Sequence, residues 1–119
     1  MKPLSDIEGF LKRFNSFIDS DIRDIEVVDA STILVTLTVQ DGARDFDWIS
    51  VKLEFNGVID AKLPDNSKLA FVDMEDGITI ACYDDRFSFG VGRYSTFDSL
   101  KNSLCYVECL NIKYKEGLF

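Results

Sequence analysis

The stretch from Arg86 to Leu104, RFSFGVGRYSTFDSLKNSL, sets two glycines, an arginine and several hydroxyl side chains just before a short helical segment. Gly90 and Gly92, then Arg93, then Ser95 and Thr96 are residues from which an anion site can be built, because backbone N–H groups at a helix start attract negative charge. A phosphate loop also needs a buried parallel strand before it, a substantial helix after it and a lysine or metal-holding acid in place. Here the preceding residues alternate as in an antiparallel strand, and the helical segment is barely two turns. Gly90 and Gly92 alternate with Phe89 and Val91, so they share one face. They read as a notch that admits a neighbouring helix or a large aromatic ring. Arg93 and Tyr94 remain as candidates for a binding edge.

The rest of the chemically capable residues exclude more than they offer. There is no histidine, which removes the commonest general base, proton shuttle and metal ligand together. Cys82, Cys105 and Cys109 form no C-x-x-C pair, and Cys105 and Cys109 on one strand stand about 13 Å apart, too far for a disulfide or a shared metal. All three are expected to be reduced, buried and inert. Asp19 to Glu26, DSDIRDIE, resembles the start of a calcium loop but has Asp24 where glycine is needed and Ala30 at the twelfth position. Paired carboxylates could serve acid–base chemistry, but these acids stand in turns without an apolar pocket to separate their pKa values. The chain is therefore read as neither an enzyme nor a metal or cofactor protein.

Three acidic turns are left: Asp41, Asp45 and Asp47; Asp73, Glu75 and Asp76; and Asp84 with Asp85. Such residues belong to solvated turns, but two or three turns at one end of a sheet would form a negative surface for a cationic partner. Trp48 beside Asp47, and Tyr94 beside Arg93, are either core aromatics or anchors of such a surface. The whole chain supports that direction, with 13 basic against 21 acidic residues and a net charge of −8. A nucleic-acid partner would need a basic stripe, and none is found. A basic protein partner fits the charge.

The elements that must position these residues follow from periodicity. At 119 residues the chain is read as one domain, 1–119, able to bury roughly two thirds of its unfolded surface. Leu4, Ile7, Leu11, Phe14 and Ile18, widened by Phe10 and Phe17, form a three-four stripe that predicts a helix over Ser5 to Ile18, with Ser5 and Glu8 as a capping box. Burying five such side chains is worth roughly 7–15 kcal/mol before ordering entropy, so the helix must lie on something apolar. From Asp21 the period becomes two. Ile33, Val35, Leu37 and Val39 point one way, and Ile49, Val51, Leu53 and Phe55 repeat the pattern beyond an Asp-Gly loop, which predicts a hairpin. VIDAKL, KLAFVDM, ITIACY and FSFGVG read as further short strands. The final segment reads as one strand with Cys105, Val107 and Cys109 on one face and Leu104, Tyr106, Leu110, Ile112 and Tyr114 on the other. The fold class is α+β, with an N-terminal helix on a curved antiparallel sheet of about six or seven strands and a short helix before the last strand.

In its plan the chain resembles small acidic bacterial α+β proteins of the toxin–immunity type. The resemblance rests on the N-terminal helix, on VKLEFNGVIDAKL as a strand–glycine–strand unit and on FSFGVGRYSTFDSLKNSLCYVECLNIKY as strand, short helix and strand. It implies a non-enzymatic protein that occludes a basic toxin through its acidic surface, and it assigns no individual residue. Other readings are a small-molecule-binding domain with an apolar pocket between helix and sheet, and a homo-oligomer joined through an exposed edge strand. With no secretory signal and no apolar run of membrane-spanning length, a cytoplasmic location is expected and no membrane contact.

Overall fold

The protein is seen in a computed structural model that describes residues 1–118. Nine strands and two short helices follow one another as β1 (Lys2–Pro3), α1 (Ile7–Arg13), β2 (Asp21–Asp29), β3 (Thr32–Asp41), β4 (Asp47–Asn56), β5 (Asp60–Lys62), β6 (Ile78–Tyr83), β7 (Arg86–Val91), α2 (Phe97–Leu100), β8 (Tyr106–Cys109) and β9 (Asn111–Leu118). The expected α+β class and antiparallel pairing are found, but the single sheet of six or seven strands is replaced by two sheets. One runs β1-β9-β4-β3-β2 and the other β5-β8-β7-β6.

The β3–β4 hairpin has the register that alternation implies, from Thr32 opposite Asn56 to Asp41 opposite Asp47. Its inward residues Val35, Leu37, Val51, Leu53 and Phe55 are wholly buried. They meet Phe89 and Val107 of the second sheet in one apolar core, and the Phe55 and Phe89 rings lie tilted against each other with centroids 5.0 Å apart. A sheet, more than the helix, therefore covers the first sheet.

Two adjacent strands carry the chain between sheets. β4 continues into β5 and β8 into β9, pairing along their length from Asn56 opposite Asn111 to Asp60 opposite Glu108. At the bend, Gly57 holds φ of +65° and leaves room for Leu110, which a Cβ there would meet at 3.0 Å; the Leu110 N–H is bonded to the Asn56 and Gly57 carbonyls. The expected single last strand is thus two strands in different sheets. Leu110 stands exposed at the corner instead of sharing a face with Ile112.

The N-terminal helix is also shorter than its stripe. Asp6, not Ser5, caps it, accepting the Gly9 N–H at 2.9 Å. It stops at Arg13, and Asn15, Ser16 and Phe17 follow with φ of 51°, 52° and 60°. Asn tolerates the left-handed region and often ends a helix there. The apolar spacing simply continues past that stop, because Phe14 and Phe17 still reach the core. KLAFVDM, read as a strand, is a 3-10 turn over Asn66–Phe71. Cys105 and Cys109 are buried as expected, and burial pushes both thiols up to about 12. Cys82 instead is exposed: it shares the face of Ile78 and Ile80, but the last two residues of β6 run out beyond the core.

The glycine notch is real and filled from within. A Cβ on Gly90 would come 2.5 Å from Leu100 of α2, and one on Gly92, at φ +115°, would press on the Tyr94 ring. Thr96 caps α2 in a reciprocal pair with Ser99. No described helix is long and apolar enough to cross a membrane.

Candidate binding surface

At the C-terminal end of α1, Arg13 reaches back to the β3–β4 turn. Its Nε donates to Asp41 Oδ1 at 2.9 Å and its Nη2 to Oδ2 at 2.6 Å, a bidentate pair of the strongest kind. Glu116 of β9 pairs with the same Nη2, and the guanidinium lies 4.8 Å from the centre of the Phe14 ring. Asp41 is wholly buried and also accepts the Ala43 N–H at 2.9 Å, capping the 3-10 turn Gly42–Arg44. These contacts, the Arg13 hydrogen bonds first, hold its carboxyl below the usual aspartate range. Asp41, expected on an exposed acidic surface, is thus the internal anchor of the turn.

The rest of that turn is pushed outward. Asp45 and Phe46 both adopt positive φ, 53° and 64°, and the Phe46 N–H closes on the Asp41 carbonyl at 2.9 Å. For a bulky residue such a backbone is costly, about 1–2 kcal/mol. It carries the Phe46 side chain into solvent, 65% exposed, beside Trp48 at 43%. Asp45 and Asp47 are exposed with them.

Opposite this lip stands the segment 14–20, which carries four more residues at positive φ, Asn15, Ser16, Phe17 and Asp19. The two segments and the last turn of α1 enclose an open groove of about 850 Å³, with Phe14, Ile18, Val39, Phe46 and Trp48 as its apolar wall and Lys12, Asp19 and Gln40 at its rim. Six of the eight described non-glycine residues at positive φ lie in these two segments. Strain of this sort collects at functional sites. The deeper space between α1 and the sheets is filled: Phe10 packs on Tyr114 at 4.9 Å and on Phe14 at 5.1 Å, and Phe14 on Phe17 at 5.3 Å. The groove therefore lies outside this packed aromatic cluster, with a smaller cavity of about 210 Å³ between α1, β1 and Tyr114 of β9.

The three acidic turns divide into two sites. The Asp19 N–H bonds the Met74 carbonyl at 2.9 Å, so the exposed Asp73, Glu75 and Asp76 adjoin the groove side that holds Asp19. Asp84 and Asp85 close the β6–β7 hairpin at Tyr83–Arg86, the opposite end from the Ile78–Val91 pair. It is the latter end that the 14–18 segment touches, since a Cβ on Gly77 would strike the Ser16 carbonyl. Asp84 and Asp85 thus stand apart from Asp45, Asp47 and Trp48. Arg93 is exposed, while Tyr94 is half-buried over Gly92, its N–H bonded to Thr79 Oγ1 at 3.2 Å. Sequence reasoning missed Phe46, Arg13 and the 14–20 segment, and only the Asn15-Ser16 pair hinted at a break there. Scans against protein-family models, curated proteins and solved structures find no match to this chain.

Proposed function

We propose that this chain is a non-enzymatic protein-binding domain of the toxin–immunity type, which covers a basic site on its protein partner with the groove at the end of α1. The observation that carries this reading is the exposed Phe46–Trp48 lip, held out by a strained backbone over a half-buried ion pair. A protein spends strain in this way where an apolar surface is needed outside. Asp19, Asp45 and Asp47, with Asp73, Glu75 and Asp76 adjoining, outnumber the exposed Lys12 and Arg44 around it. A wall of aromatics inside an acidic rim suits a cationic protein surface, in which the rim sets on-rate and register and the aromatics set lifetime.

Calorimetric titration against basic catalytic domains of co-encoded toxins tests this. One-to-one binding that weakens as salt rises, and that falls about 30-fold in Trp48→Ala, is expected from a loss of about 2 kcal/mol at an anchor residue. No binding to any such domain, or binding indifferent to salt, contradicts it. The groove volume also lies in the range of small-molecule sites; thermal stabilisation by a small ligand that Trp48→Ala abolishes, with no protein bound, would favour that alternative.

A further inference from the structure

The two sheets present four edges, and three of them are closed to further strands. β1 is two residues long and includes Pro3, which has no N–H, and the stretch of β9 beyond it carries Lys115, Glu116 and Gly117; β5 is three residues long. β2 carries Arg23, Asp24 and Glu26, shifts register twice along β3, and is met by Asn66, whose side chain accepts the Ile25 N–H at 3.3 Å and donates to the Ile25 carbonyl at 3.0 Å. Short strands, proline, charge, bulges and a covering segment are the devices by which sheets refuse strand addition.

The fourth edge, β6, has no charge, proline or bulge, and the 14–18 segment meets it at its Gly77–Ile78 end. Its six residues, ITIACY, contain no charge and no proline, and its register with β7 runs unbroken from Ile78 opposite Val91 to Tyr83 opposite Arg86. The phase of the ladder tells which groups are left over. A two-residue turn at Asp84-Asp85 makes Tyr83 and Arg86 a hydrogen-bonded pair, and pairs alternate from there. At the other end the Gly92 N–H donates to the Gly77 carbonyl at 2.8 Å, and the Val91 N–H turns away to Cys105, which fixes the same phase. Thr79, Ala81 and Tyr83 therefore spend their backbone groups on β7. Ile78, Ile80 and Cys82 aim theirs at the open side, where none of the described residues supplies a backbone partner.

Charge selects the occupant. The edge ends in Asp84 and Asp85 on one side and follows Asp73, Glu75 and Asp76 on the other. A second copy of β6, antiparallel across a two-fold axis, would set Asp84 and Asp85 against the other copy's Glu75 and Asp76, and like charges juxtaposed at both ends oppose that pairing. An extended segment with cations at both ends meets attraction at both. The exposed Tyr83, its ring tilted against Phe97 at 5.8 Å, offers an apolar contact beside it.

We propose that β6 is a docking edge for an extended segment of a cationic protein, with basic residues flanking an uncharged, β-forming core, which adds as a fifth strand beside β6. This edge is separate from the Trp48 groove and does not depend on it. The probe is a synthetic peptide with a lysine pair at each end of an alternating valine–threonine core, followed by NMR amide shifts on the full chain. Binding should perturb the amides of Ile78, Ile80 and Cys82 and leave those around Trp48 unmoved. Backbone N-methylation of the peptide or Cys82→Pro should abolish it, and Asp84→Asn with Asp85→Asn should weaken it about fivefold. Trp48→Ala should leave it unchanged. No binding, equal binding of the N-methylated or a glutamate-flanked peptide, shifts located elsewhere, or dimerisation through β6 seen by light scattering would each overturn the proposal.

Discussion

The β3–β4 and β6–β7 hairpins both turn on acidic residues, and both place two consecutive residues at positive φ, Asp45-Phe46 in one and Asp84-Asp85 in the other. The first is tied into the body, because Arg13 of α1 holds the buried Asp41 in a bidentate pair. The second is exposed on the end of its hairpin, with no cation of another element paired to its carboxylates among the described residues. What an acid does in a turn is therefore decided by whether a distant cation reaches it, and not by how many acids the turn contains.

Breaking the tie gives the largest expected effect. Arg13→Ala takes the bidentate partner from the buried Asp41 carboxylate, leaving it only Arg44 at 3.5 Å, and should cost about 2 kcal/mol in denaturant unfolding; a loss under about 1 kcal/mol would show the turn to be held by its backbone alone. A smaller effect appears in acid. Asp41 keeps its carboxyl deprotonated to lower pH in the folded chain than its ordinary value near 3.8. Below that value the unfolded chain takes up a proton that the folded chain refuses, so stability should fall as pH drops toward the lower, folded value. Asp41→Asn should be less stable at neutral pH and flatter in that acid window, which unfolding measured across pH would reveal.

Phe46→Gly should act in the opposite direction. Removing a bulky side chain from φ of 64° should raise stability by about 1 kcal/mol while weakening partner binding, the signature of strain kept for function. Loss of stability instead would mean that the Phe46 ring is a packing residue. Asp84→Asn with Asp85→Asn should change stability least, within about 0.5 kcal/mol, since asparagine accepts the left-handed backbone. That pair is the matched control for Arg13→Ala.

The β3–β4 hairpin was legible in the sequence because alternation over ten residues on each side specifies both faces and register. The acidic turns were legible as turns. Their grouping was not, because it depends on the two bends at Gly57 and Leu110 that split one ladder between two sheets. The length of α1 was overstated for a related reason: Phe14 and Phe17 satisfy helical spacing, yet reach the core from beyond the helix, Phe17 from a left-handed backbone. Asp41 looked like its neighbours Asp45 and Asp47 because its partner, Arg13, is 28 residues away in the chain. A bulky aromatic at positive φ, as at Phe46, contradicts its own local preference and so leaves no sequence signal.

The chain has one tryptophan, Trp48, and it stands on the lip of the groove. Its emission during titration with a basic toxin domain tests most directly whether the groove is the face that meets the partner. A blue shift saturating at one equivalent, and reversed by salt, is the expected result. Binding seen by calorimetry while the Trp48 emission stays unchanged would place the partner elsewhere and contradict it.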